Sequence, residues 1–131
     1  MKEALIVGGA SGIGLSIAML LACREDYRKI YIIDRSPLPE DVEHAKFEYH
    51  RFDLSSDDYS FFDSFLNVDT LMITAGFGRL ALFKDLTEEY IVNMMSVNAT
   101  AVMRLIHRFY DRLAATSDFY CGVMVSIAGF M

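Results

Sequence analysis

Ala4-Leu5-Ile6-Val7-Gly8-Gly9-Ala10-Ser11-Gly12-Ile13-Gly14 decides how this chain folds. The first four residues are continuously apolar, as a strand covered on both faces of a parallel sheet must be. The glycines after them permit positive φ and let the backbone come close to another group. Ile13, Ile17, Leu20 and Leu21 then recur at helical spacing up to Cys23. A strand therefore passes into a helix through a glycine-rich turn. The first turn of such a helix offers unpaired N–H groups and partial positive charge, a seat for a diphosphate.

A second apolar run, Ile30-Tyr31-Ile32-Ile33, sits within Lys29–Asp34 and ends on an acid twenty positions beyond Gly14. Strand, glycine turn, helix, strand and acid, in that order, describe a pocket for the ADP half of a dinucleotide. Gly8, Ser11, Gly12, Ile13 and Gly14 are the candidate phosphate cradle, and Asp34 the acceptor for ribose hydroxyls. A carboxylate at Asp34 repels a 2′-phosphate, so NAD is the preferred cofactor and NADP the possible one. Arg35 is the alternative partner, for a 2′-phosphate. Two plainer alternatives stand beside these: a tight strand-to-helix connection, and a strand-end acid. A Walker phosphate loop is excluded, because no Lys-Ser/Thr pair follows the glycines.

The rest of the chain keeps alternating. Phe47–Phe52 reads as a third strand, and Ser55 with Asp58 as the start of a helix running to about Phe65. Thr70–Thr74 is a fourth strand ending in Ala75-Gly76. Thr87 caps a long helical region to about Ala115, with Asn98 as the place for a break. Its later half carries an apolar stripe of Val102, Leu105, Ile106, Phe109 and Leu113. Val123-Met124-Val125 is a fifth strand, followed by Ser126-Ile127-Ala128-Gly129. This pattern predicts an α/β fold, a doubly wound parallel sheet of Rossmann type with strand order 3-2-1-4-5. The ligand is expected at the carboxyl ends of the strands.

The 131 residues fit one domain, 1–131. With 53% hydrophobic and 23% charged residues the chain can bury a core. A net charge of −6 argues against nucleic acid as a partner. Cys23 and Cys121 form no metal pattern or disulfide framework, and both are expected to be buried or half-buried. His44, His50 and His107 lack ligand spacing, so no metal site is expected. Leu20-Leu21-Ala22-Cys23 is similar to a bacterial lipoprotein signal, but Glu3 and the glycines interrupt the pattern. The expectation is a cytoplasmic protein with no membrane segment.

The chain resembles the short-chain dehydrogenase/reductase family over essentially its whole length. That family's Thr-Gly-x-x-x-Gly-x-Gly motif is matched from Val7 to Gly14, with Val in place of Thr. Asp53-Leu54 resembles the pair that holds the adenine. Ile73-Thr74-Ala75-Gly76 stands where the family has Asn-Asn-Ala-Gly; Ala75 and Gly76 match and both asparagines are replaced. Asn98 resembles the helix asparagine whose carbonyl orders a proton-relay water. Ser126 resembles the catalytic serine that bonds the substrate carbonyl. Asn98 as a helix kink and Ser126 as a turn residue remain the structural alternatives. Ser11 leaves neutral the position that is basic in NADP-preferring relatives.

The resemblance implies an NAD(P)-dependent oxidoreductase moving hydride between nicotinamide and an alcohol or ketone. It also implies a Tyr-x-x-x-Lys pair after the fifth strand, and none of the seven tyrosines opens that pattern. Losing a tuned proton donor removes about 10²–10⁴-fold of rate. The chain is therefore expected to be the cofactor-binding portion of a longer enzyme, incomplete relative to the family fold and inactive alone. An open sheet edge at the fifth strand and the long helix are expected to drive homo-oligomer formation. The alternatives are a non-catalytic dinucleotide-binding or regulatory module, and a structural domain with a vestigial pocket.

Overall fold

The computed structural model describes residues 1–78, 81–115 and 118–125. Strand β1 (Lys2–Val7) leads into helix α1 (Gly12–Ala22), then β2 (Tyr27–Asp34) and β3 (Phe47–Arg51). A 3₁₀ helix (Tyr59–Phe65) precedes β4 (Thr70–Ile73), and a short 3₁₀ turn (Phe83–Asp85) precedes α2 (Glu88–Met95). A π-helical turn (Ser96–Thr100) joins α2 to α3 (Ala101–Arg108), and α4 (Tyr110–Ala115) and β5 (Tyr120–Val123) follow. All strand pairs are parallel, in the order β3-β2-β1-β4-β5, so the expected doubly wound sheet is the fold.

Alternation along β1 divides the core in two. Leu5 and Val7 join a cluster with Ile33, Phe62, Leu71, Leu105 and Phe109 on one face. Ala4 and Ile6 join Ala18, Ala22, Ile30 and Ile32 on the other. The period of two in a strand sends neighbours to opposite sides, and both sides are covered.

The face of α1 that meets the sheet differs from the one the leucine spacing predicts. Gly14, Ala18 and Ala22 are buried, whereas Ile13 is 57% and Leu20 70% exposed. Small residues four apart let the helix axis approach the strands, and Ile17 and Leu21 flank that seam.

Between β3 and β4 the helix expected from Ser55 to about Phe65 starts later, at Tyr59, and is 3₁₀. Ser55 instead donates from its N–H (2.9 Å) and Oγ (2.6 Å) to Asp53 Oδ1, which makes a turn. Asp58 caps the 3₁₀ helix, accepting the Ser60 N–H at 2.9 Å. Tyr59, Phe62 and Phe65 are the buried residues of that helix. Three residues per turn stack such positions on one face, so an aromatic at every third position fits 3₁₀ geometry better than α.

Thr87 caps α2 as expected, its Oγ1 accepting the Tyr90 N–H at 3.1 Å. The π turn places the break at Asn98. Within the stripe, Leu105 and Phe109 are buried, and Val102 and Ile106 pack beside them. Leu113, however, is exposed. The chain leaves helical geometry at Phe109 (φ −91°, ψ 7°), which turns α4. Arg112 points inward there instead, donating to the carbonyls of Asn67 (3.3 Å) and Val68 (2.8 Å). β5 starts at Tyr120, earlier than expected. Cys23 is exposed, contrary to expectation, and Cys121 is half-buried. Among the described residues no helix is long and apolar enough to cross a membrane.

Candidate functional site: a cleft over the glycine turn

The order of strands reverses between β1 and β4, and a cleft of about 380 Å³ opens at their carboxyl ends. Every cofactor candidate lines it: Gly8, Ser11, Gly12, Ile13, Gly14, Asp34, Arg35, Asp53, Leu54, Ala75 and Gly76.

The turn after β1 depends on two glycines for different reasons. Gly8 has φ +89°, and a Cβ on it would stand 2.5 Å from the Ala75 nitrogen. Gly14 is the point where α1 crosses the turn; a Cβ there would lie 2.2 Å from the Gly8 carbonyl oxygen and 2.4 Å from Thr74 Oγ1. Thr74 staples this crossing: its hydroxyl lies 3.0 Å from the carbonyl oxygens of both Val7 and Gly8. The N–H groups of Thr74 and Ala75 also donate to Val7, at 2.8 and 3.1 Å. The residue in place of the second asparagine of the family motif therefore lines the cleft while its hydroxyl engages the turn.

Ser11 stands before α1 in extended conformation and makes no side-chain cap, and the first helical turn holds no acidic residue. Its amides are thus left for a ligand, and partial positive charge faces the cleft. Gly12 (φ +55°) has open space where a Cβ would be. An uncapped helix start beside a side-chain-free cradle fits a diphosphate.

Asp34 accepts the Ala10 N–H at Oδ2 and the Ser36 N–H at Oδ1, both at 3.0 Å. Its peptide is fixed as well. The Asp34 carbonyl accepts from Phe52 N–H at 2.9 Å and Tyr49 OH at 3.2 Å, and Tyr49 OH also donates to Ser36 O at 2.7 Å. A carboxylate has about four lone-pair directions, so two remain for ribose hydroxyls. On the far side, hydrogen bonds from Ser55 hold the Asp53 carboxyl below the usual aspartate range. Asp53 N–H donates to Asp57 Oδ2 at 2.7 Å, and Tyr59 OH to the Leu54 carbonyl at 2.8 Å. Burial pushes the Tyr59 phenol up, which keeps it a neutral donor.

Asn98 is not in the cleft wall; its neighbour Val97 is. Its amide grips the Phe77 peptide, Nδ2 donating to the carbonyl at 2.6 Å and Oδ1 accepting the N–H at 2.8 Å. Ser126 lies outside the described residues. Phe77 and Met124 also line the cleft and were not anticipated. Phe77 directly follows the Ala75-Gly76 pair, which was the available signal; Met124 had none. Among the described lining residues there is no tyrosine and no lysine. The arrangement can hold and orient an adenosine diphosphate.

A family model described as short chain dehydrogenase matches residues 2–131. No curated protein sequence matches the chain. Solved structures do. The bulky-bulky ketone specific alcohol dehydrogenase from Comamonas testosteroni superposes with a TM-score of 0.82 at 21% identity, over 99% of this chain and 57% of that one. An alcohol dehydrogenase from the archaeon Thermococcus sibiricus, complexed with 5-hydroxy-NADP, gives 0.72 at 27% identity, over 94% of this chain and 57% of that one. A 4-hydroxyisoleucine dehydrogenase complexed with NADH gives 0.82 at 19% identity, over 100% and 58%. The chain thus spans 57–58% of the length of these three structures.

Proposed function

Because the chain belongs to the short-chain dehydrogenase family, we propose that it is the cofactor-binding part of an NAD(P)-dependent oxidoreductase acting on an alcohol or ketone. The observation that carries this is the uncapped start of α1 facing Asp34 across one cleft. When bound, the nicotinamide dinucleotide supplies the hydride chemistry. The chain's own residues receive and orient it. The amides of Gly12, Ile13 and Gly14 take the diphosphate, Asp34 the adenosine ribose, and Asp53 with Leu54 the adenine. Ser126 and Asn98 are proposed to serve the substrate side, as the family resemblance implies.

NAD is the proposed preference. Two backbone amides fix the Asp34 carboxylate, so it cannot swing away from a 2′-phosphate. Isothermal titration of the full chain with NAD and NADP tests both levels. Tighter NAD binding is expected; tighter NADP binding overturns the preference, and binding of neither overturns the dinucleotide function. A second reading, a dinucleotide-binding regulatory module, is favoured by Ile73 and Thr74, which replace both asparagines of the family motif. Turnover of NAD with an alcohol by the complete protein distinguishes the two. A homo-oligomer is also proposed, through the long helix between Asn98 and Ala115, where Met103 is 73% exposed, or through the β5 edge. Sedimentation across concentrations tests it. A cytoplasmic setting accords with this function.

A further inference from the structure

Arg35 and Phe77 meet over the glycine turn. Arg35 leaves the carboxyl end of β2 and Phe77 follows β4, with β1 between those strands in the sheet. Both line the cleft. The Arg35 guanidinium carbon stands 5.6 Å from the Phe77 ring centroid, within the roughly 6 Å reach of a cation–π attraction.

Phe77 is the fixed member of this pair. Asn98 holds its peptide from both sides. Tyr90 meets its ring edge-on, with centroids 5.7 Å apart and planes at 76°. Arg35 is exposed and goes where the ring draws it. Its charge is the group beside Asp34 best suited to attract a 2′-phosphate.

On the basis of the dinucleotide function proposed above, we infer that Phe77 is a specificity-determining residue. It draws the Arg35 guanidinium across the glycine turn, withholds it from a 2′-phosphate beside Asp34, and so biases the cleft towards a dinucleotide with a free 2′-hydroxyl. The exposed attraction is weak, so the bias from it is roughly two- to fivefold. It adds to the repulsion from Asp34.

The test is titration calorimetry of the full chain with NAD and NADP at low salt, reading the ratio of the two dissociation constants, NADP over NAD. Phe77→Leu removes the ring and is expected to lower that ratio by roughly two- to fivefold, while Phe77→Tyr keeps it at the wild-type value. Arg35→Gln changes only an exposed side chain and does not endanger folding. The ring offsets only roughly two- to fivefold of a charge-assisted contact to phosphate that is worth about tenfold or more. Arg35→Gln is therefore expected to raise the ratio less in the wild-type background than in the Phe77→Leu background, by that margin of roughly two- to fivefold. An unchanged ratio in Phe77→Leu, or the same rise on Arg35→Gln in both backgrounds, overturns the role of Phe77 and leaves dinucleotide binding standing. Failure of both dinucleotides to bind the wild-type chain overturns the dinucleotide function, and this inference with it.

Discussion

The Asp34 carboxylate accepts the backbone N–H of Ala10 at 3.0 Å across 24 positions of sequence, so the acid at the end of β2 also tethers the glycine turn after β1. Ala10 is 2% exposed, and its N–H depends on that partner. One side chain therefore carries a structural role beside the recognition role proposed for it.

Substituting Asp34 in two ways separates those roles. Asp34→Asn keeps an acceptor for the Ala10 N–H and removes the charge. Its Nδ2 cannot accept the Ser36 N–H, so it is expected to lose some stability, less than Asp34→Ala, while gaining NADP affinity relative to NAD. Asp34→Ala strands a buried N–H and is expected to lose about 1–3 kcal/mol. Chemical denaturation of both variants beside nucleotide titration checks this.

The glycines of the turn are expected to fail differently. Gly14→Ala drives a Cβ to 2.2 Å from the Gly8 carbonyl oxygen, and relief requires moving α1 off the strand; overpacking of this kind costs about 1–3 kcal/mol or more. Gly12→Ala meets open space and carries only the left-handed backbone penalty of about 1–2 kcal/mol. Its Cβ nevertheless stands in the phosphate cradle. Denaturant midpoints are expected to fall further for Gly14→Ala, while Gly12→Ala loses nucleotide binding with the smaller loss of stability.

Asn98→Ala is expected to free the Phe77 peptide. Hydrogen exchange at the Phe77 amide should accelerate, because its acceptor at 2.8 Å is gone. Asn98→Asp retains an acceptor for that amide but not the donor to the Phe77 carbonyl, so its exchange rate should fall between wild type and Asn98→Ala.

Acid response should show at Asp26. A hydrogen bond from Arg24 holds this carboxyl at about 2, from an ordinary 3.8. The folded value is the lower one, so the unfolded chain takes up the proton first as pH falls. The contribution is present above the unfolded value and is lost as pH drops through about 2. Denaturation midpoints of the wild type and Asp26→Asn should differ at neutral pH and converge over that acidic window. The pair is exposed, so the gap should be small and shrink in high salt.

Much of the fold was legible because its signals are local. Val7 to Gly14 joins a run buried on both sides to a turn that only glycine tolerates, and Asp34 ends the next such run. Period-two burial then placed the strands. The Tyr59–Phe65 helix was harder to read, because an apolar residue at every third position imitates a ragged α pattern. Arg112 and Leu113 exchanged sides because the bend at Phe109 resets the helical phase, which periodicity alone cannot register. Phe77 and Met124 entered the cleft through strand order, since residues remote in sequence meet only once β4 lies beside β1 and β5 beside β4.

The π-helical turn has a consequence for how such chains diverge. Ala101 N–H reaches back to the Ser96 carbonyl, one position further than an α-helix allows, so the segment holds a surplus residue. Deleting one codon between 96 and 100 would restore a regular helix without breaking it. The downstream half would keep its phase on the sheet, while the Asn98 amide would rotate by roughly 100° relative to its present bearing and release Phe77. Descendants carrying a one-residue gap at this point should fold as this chain does yet read their nucleotide differently.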